Sequence, residues 1–402
     1  MIRTRSRVLA FAAFIGCTFA TATIPLLAGP LSPPLGAVAS TSKPLSDIEP
    51  RIAINATNTP GDGSTTYRIT QPGSYYLTGN LQGEPNKYGI IVASANVIID
   101  LNGFRMFGAA NSLDGIINTT GVNIVTVRNG TVAGWGVGIN LQNDTSAGEG
   151  SEVHSVNVNG NRGSGLRLGN RGRVINVSAT GNSGIGISVG EGSIITGCFA
   201  ALNSNAGFST GPGATVSSST ARQNSGSGFI LGVASSISNC AAAQNQGDGI
   251  TVGSGSSVHN CASRENGIAG FFINAGSSIS NCSAQLNTTH GIEGSADNLI
   301  FANACDSNGN AGVGAGIFVT SDDNRIDNNN CTDNDYGIRV TGTGNLIIKN
   351  SSSGNTTANY DFNAANRFGP IVDITPAAAP SVSGNSAPGT LTTSDPNANF
   401  AY

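Results

Sequence analysis

Residues 258–292 read VHNCASRENGIAGFFINAGSSISNCSAQLNTTHGI, and the second half of this stretch restates the first. Val258 and Ile279, Cys261 and Cys282, Asn266 and Asn287, and Gly270 and Gly291 are each 21 residues apart. Towards the N-terminus the same Gly followed by a large apolar residue recurs as Gly165-Leu166, Gly186-Ile187, Gly207-Phe208, Gly228-Phe229 and Gly249-Ile250. An Asn precedes each by four residues, at Asn161, Asn182, Asn203, Asn224, Asn245, Asn266 and Asn287, and Asn308 continues the row. A fixed period of this length marks stacked supersecondary units.

Inside each unit the apolar residues alternate, as in Ile250-x-Val252 and Cys240-x-Ala242. Period two means strand, with one face inward. Three short strands per unit make a coil, and parallel coils stack at ~4.8 Å. No single coil buries its own apolar side, so the stack is the folding unit. The spacing therefore predicts an all-β solenoid of about a dozen 21-residue coils, on the order of 60 Å long at that rise. Irregular coils extend it upstream through Gly89-Ile90, Gly115-Ile116 and Gly138-Ile139, and downstream through Gly316-Ile317 and Gly337-Ile338. The Asn row reads as construction: Asn tolerates left-handed backbone at a turn, and its amide bonds the equivalent turns above and below.

The flanks read differently. Arg3, Arg5 and Arg7 precede an apolar run from Val8 to Ala20, the order of a secretory signal peptide over residues 1–22, with cleavage as late as 39 as a second site. Its removal takes the net charge from −4 to −7, which disfavours nucleic acid and anionic membrane as partners. Pro25 interrupts the ~20 apolar residues a spanning helix needs. Residues 23–50 are a linker, 51–88 an N-terminal cap, 89–356 the solenoid, and 357–402 a Pro-containing tail that caps the far end, since an open coil is a bare sheet edge. Charged residues are only 10% of the chain, which argues against a solvated disordered protein.

The V-x-x-C-x-A-x-x-N-x-x-x-G-I pattern resembles right-handed parallel β-helix proteins of the pectate-lyase-like superfamily. Ile69-Thr70-Gln71-Pro72-Gly73-Ser74-Tyr75-Tyr76-Leu77 and Ile99-Asp100-Leu101-Asn102-Gly103 are similar to the first coils of its secreted bacterial members. The resemblance covers roughly residues 89–355 and implies the coil more than any chemistry, because the superfamily holds lyases, epimerases, hydrolases and tailspikes. It implies that a lyase would carry clustered acidic Ca²⁺ ligands with an Arg or Lys base on the outer face of one sheet. Neither the GHG and RIK motifs of polygalacturonases nor the DPH motif of alginate epimerases is present.

In the regular middle the outward positions read as small, neutral and inert: Arg167, Ser188, Ser209, Ile230, Thr251, Phe272 and Glu293 in one column, Ile175, Thr196, Ser217, Ser238, His259 and Ser280 in another. Charge gathers where the period breaks. Asp144, Glu149, Glu152 and His154 lie near one insertion, and Asp322, Asp323, Arg325 and Asp327 near the other. Both sets read first as solvated turns, with the second the better Ca²⁺ candidate if the protein is a lyase. His154 and His259 share a column but lie five coils apart, ~24 Å, too far for one metal. Trp135, the only tryptophan, is the first candidate for stacking on a sugar.

Cys198, Cys240, Cys261, Cys282, Cys305 and Cys331 occupy core-facing slots as small buried residues, and parallel side chains suit a disulfide badly. No cofactor or metal is expected. The leading expectation is a non-catalytic extracellular or cell-envelope scaffold, glycan-binding or adhesive. The alternative is a Ca²⁺-assisted lyase or epimerase acting on a uronic-acid polymer.

Overall fold

The computed structural model describes residues 49–119, 121–142, 149–310, 312–373 and 393–402. Every regular element among them is a strand. A representative coil runs Leu166–Leu168, Arg173–Ile175, Ser178–Thr180 and then enters the next at Ile187–Val189. The first strands of successive coils form a 14-stranded sheet, and the second and third strands share a 28-stranded one. Pairing is parallel with a register of one coil: Leu166 with Ile187, Val174 with Ile195, Ala179 with Ala200. The N-terminal segment follows the same rule, with Ile52 paired to Tyr75 and Tyr67 to Ile90.

Each coil turns three corners, and each corner is made by one residue in the left-handed region. Around the representative coil these are Arg171, Asn176 and Gly181, with φ of 55°, 52° and 63°. The residue after each corner is buried or faces inward, and where it is Ser or Asn its side chain accepts a hydrogen bond from the equivalent backbone N–H one coil earlier, as at Ser193, Ser219 and Asn182, whereas Gly172 and Val177 have no such acceptor. At the third corner that residue is the Asn expected from the sequence. Asn224 Oδ1 accepts from Asn203 N at 3.1 Å and Nδ2 at 2.9 Å, while its own Nδ2 donates to Ala200 O and Asn245 Oδ1. The ladder residues do not themselves take the left-handed conformation. The residue before them does, whether Leu202, Gln223 or Glu265.

The other two corners carry ladders of their own. Ser235, Ser256 and Ser277 bond upward at the first corner, which continues as Asn298, Asn324 and Asn345. At the second, the row is Cys198, Ser219, Cys240, Cys261, Cys282, then Asn303, Asn329 and Asn350. Here the thiols have a task beyond filling space. Cys198 Sγ accepts from Val177 N at 3.5 Å and Cys282 Sγ from Cys261 N at 3.4 Å, the position Asn303 Oδ1 takes one coil later. The last amide of this row is Asn399, whose strand Asn399–Ala401 pairs with Ser351–Ser353 and continues the ladder from Asn350.

Between the corners the core is apolar and continuous, and equivalent side chains stack on themselves. Phe208 and Phe229 lie with ring centroids 4.6 Å apart and planes within 4°. All six described cysteines are buried and free, and burial pushes the Cys198 thiol up to about 11. We expect an aromatic disulfide reagent to modify none of these six in the native protein and all six after unfolding in guanidinium. Rapid native modification would contradict the packing.

Candidate functional site

The outer face of the 14-stranded sheet presents two neighbouring columns. One holds the residue just before each coil's Gly and the other the residue two after it. Through the middle both are mostly small or apolar, with Ser164, Ile185, Ala206 and Ser227 beside Ser188, Ser209 and Ile230, after the exposed Arg167. From Asp248 onward they change. The first column runs Asp248, Ala269, His290, Ala315, Tyr336, and the second Thr251, Phe272, Glu293, Phe318, Arg339, Asp361. Consecutive members sit one coil, ~4.8 Å, apart. The ring-bearing and ionisable members of both columns are all partly exposed.

An insertion borders this region. Asn308 to Ile317 spans nine residues where Asn287 to Ile292 spans five, and the extra length forms a loop before Ala315. Asp335 anchors it, its carboxylate accepting from Gly314 N at 2.8 Å. Behind the loop His290 stacks on Phe318 with centroids 4.5 Å apart, and its Nδ1 accepts from Ala315 N at 3.0 Å. A neutral ring with Nδ1 so engaged carries its proton on Nε2. Burial, and then the charge of Arg339, hold this imidazole down to about 4.

Arg339 lies over the Tyr336 ring at 4.6 Å and beyond the Phe318 ring at 5.9 Å. Its Nε is 3.1 Å from Asp361 Oδ2 but not aimed along the N–H, so the contact is an ion pair without a formed hydrogen bond at that nitrogen. Asp248 is held by Ala269 N and Thr251 Oγ1, each at 3.1 Å. Burial, and then the charge of Asp248, raise the carboxyl of Glu293. The face thus offers aromatic edges and faces, two carboxylates and one imidazole N–H, with its cation already matched.

The His290 shift makes a prediction. The unfolded chain takes up the proton near 6.5 and the folded chain near 4, so between these values the unfolded state binds more protons. The stability His290 contributes is complete above 6.5 and is lost as pH falls through that window. An NMR titration of the His290 ring should show a midpoint near 4. One near 6.5 would mean that the ring is solvated rather than packed on Phe318.

The residues singled out from the sequence lie elsewhere. Asp144 falls outside the described residues. Glu149 pairs with Arg171 at the rim of a cleft of about 350 Å³ that Asn170 and Glu191 also line. Glu152 reaches Arg173 at 3.6 Å, and His154 lies beside Arg128 on the outer face of the 28-stranded sheet. Asp322 and Asp323 are exposed at a corner, while Asp327 is buried between Phe301 and Ile348 and bound by Arg325 at 2.6 Å. Among the described residues no three His, Cys, Asp or Glu side chains converge as a metal site would require.

Trp135 is fully buried, its Nε1 donating to Met106 O at 3.2 Å. It has no face to offer a sugar. The Asp248–Asp361 region was absent from the expectations, although the signal existed. The column ending at Glu293 continues into Phe318, Arg339 and Asp361 once the insertion is placed.

Residues 114–262 and 230–367 match the family model described as the right handed beta helix region, together more than half of the chain. The chain belongs to the right-handed β-helix family. This β-helix is similar to the A-module of the Azotobacter vinelandii mannuronan C-5 epimerase AlgE4, at 15% identity and a TM-score of 0.52, over 73% of this chain and 89% of that one. The AlgE6 A-module of the same organism matches at 15% identity and 0.52, over 74% and 91%. At that identity the likeness establishes the fold. No curated protein matches the β-helix sequence significantly.

Proposed function

We propose that this β-helix is a secreted or cell-envelope protein that binds a polysaccharide along the outer face of its 14-stranded sheet, between Asp248 and Asp361. The carrying observation is the paired column in which Phe272, Phe318 and Tyr336 alternate with Glu293, His290 and Arg339 at coil spacing. Aromatic faces stack on sugar C–H surfaces, and the ionisable groups between them serve hydroxyls. A repeating polymer matches a repeating row. The basic and apolar N-terminal segment supports export, and we assign residues 1–22 as the part removed.

The arrangement favours binding over lyase or epimerase chemistry. Proton abstraction beside a carboxylate needs a free base and a free cation. Here Nδ1 of His290 is taken by Ala315, and although Glu293 could serve as a base, the cation requirement fails because Arg339 is matched by Asp361.

Affinity electrophoresis in gels containing soluble polysaccharides tests the reading. Phe318→Ala should weaken retention several-fold to about tenfold, as expected when one stacking platform worth on the order of 1 kcal/mol is lost. Ser209→Ala, on the bland part of the same face, should change nothing. Equal retention of wild type and Phe318→Ala would sink the proposed site.

A further inference from the structure

Resting on that reading, we infer that the face selects uncharged polysaccharides and turns away polyuronates. The two columns from Asp248 to Asp361 hold three carboxylates (Asp248, Glu293 and Asp361) and one permanent cation, Arg339. That cation is ion-paired to Asp361 and lies over Tyr336. His290 adds no charge at neutral pH, since it is partly buried with its Nδ1 occupied. A uronate carboxylate arriving here meets an excess of like charge and no unpaired cation.

The repulsion falls where screening is weakest. Glu293 is half-buried between Phe272 and Phe318 in its column, and a second carboxylate brought against it would have to shed water beside an existing charge. A neutral sugar meets the opposite situation. Its hydroxyls donate to Glu293 and Asp248 and accept from the Nε2–H of His290, while Phe318 and Tyr336 supply apolar surface. The pairing of Arg339 with Asp361 is then the device that sets specificity: it removes from the face the one group able to hold a uronate.

Calorimetry on the whole protein with matched hexasaccharides tests this. The neutral probes are cellohexaose, mannohexaose, laminarihexaose, maltohexaose and chitohexaose, and the charged ones hexagalacturonate and hexamannuronate. At least one neutral probe should bind at least tenfold more tightly than either uronate. Asp361→Asn, which frees Arg339, should raise the affinity for uronate relative to the best neutral probe at least fivefold. Glu293→Gln should raise the uronate without restoring it to parity, and guards against an Asp361→Asn protein that fails to fold.

A uronate that binds as tightly as the best neutral probe overturns the inference and leaves the glycan site standing. So does an unchanged uronate-to-neutral ratio in both folded variants. If no probe of either class binds the wild type, the glycan reading falls and this inference with it.

Discussion

Asn245→Ala is expected to lower the stability of the β-helix by on the order of 4 kcal/mol, read as a fall in the urea midpoint. The side chain is buried and makes four hydrogen bonds. Its Oδ1 accepts from Asn224 N and Nδ2 at 3.1 and 2.9 Å, and its Nδ2 donates to Ala221 O and Asn266 Oδ1 at 3.2 and 3.0 Å. Alanine leaves Asn224 N and Ala221 O without those partners in a dry interior, and each such group costs about 1–3 kcal/mol. The neighbouring amides lose one bond apiece, and bonds in a chain support one another. Asn245→Asp should fare no better, since a carboxylate keeps the acceptor, loses the donor and buries a charge. A loss below about 1 kcal/mol for the alanine variant would mean that water replaces the amide, and the ladder would not be holding the corner.

The second large effect is expected at Trp135. Three glycines leave room for its ring. A Cβ on Gly83 would stand 2.5 Å from the Trp135 side chain, one on Gly89 2.9 Å, and one on Gly115 3.0 Å. Trp135→Ala should cost about 3–5 kcal/mol, the range for emptying a large aromatic from a core. Trp135→Phe should cost less, but leaves Met106 O without its indole donor. Gly83→Ala should be destabilising by about 1–3 kcal/mol through overpacking, and clearly less so when combined with Trp135→Phe. The coupling is the decisive measurement. Additive losses would show that the glycine and the ring do not share the space.

Trp135 also shows where sequence reading loses its grip. A lone tryptophan beside an insertion has the look of a ligand-stacking residue, and nothing local separates that role from a core one. The glycines that make its pocket, Gly83, Gly89 and Gly115, all lie at least 20 residues before the ring in the chain and meet it only after stacking. The coil was legible because its signal repeats. Each column states the same burial requirement many times, so Val174, Ile195 and Val216 reinforce one another.

The corners were less legible. Their left-handed positions are held by Leu202, Gln223, Glu265 and Asn176 alike. Coil geometry imposes the conformation and overrides local preference, so residue type carries little information there. The candidate site lay just beyond the regular count. The coil after Gly291 advances by 25 residues in the 14-stranded sheet and 26 in the other. A column carried on at 21 lands off Phe318, and re-anchoring the coils at Gly316 and Gly337 without extending the outward columns past Glu293 leaves Phe318 and Arg339 unread. In sequence His290-Gly291 looks like any other coil junction, because the position before the Gly is filled by Ser, Ile or Ala in most of the regular coils. Its significance comes from Phe318 beneath the ring, one coil and one insertion away.

The ladders also have a direction. In the regular coils each ladder amide's oxygen accepts from the preceding coil and its nitrogen donates to the next amide's oxygen as well as back to a carbonyl of the preceding coil, so each coil presents the same sockets below and the same plugs above. Removing or duplicating one complete regular coil leaves every such junction chemically unchanged. Reach is then a quantity that tandem duplication can adjust in steps of ~4.8 Å. The bland coils between Ser188 and Ser227 act as a spacer of settable length, and they fix how far the Asp248–Asp361 face stands from the first coils.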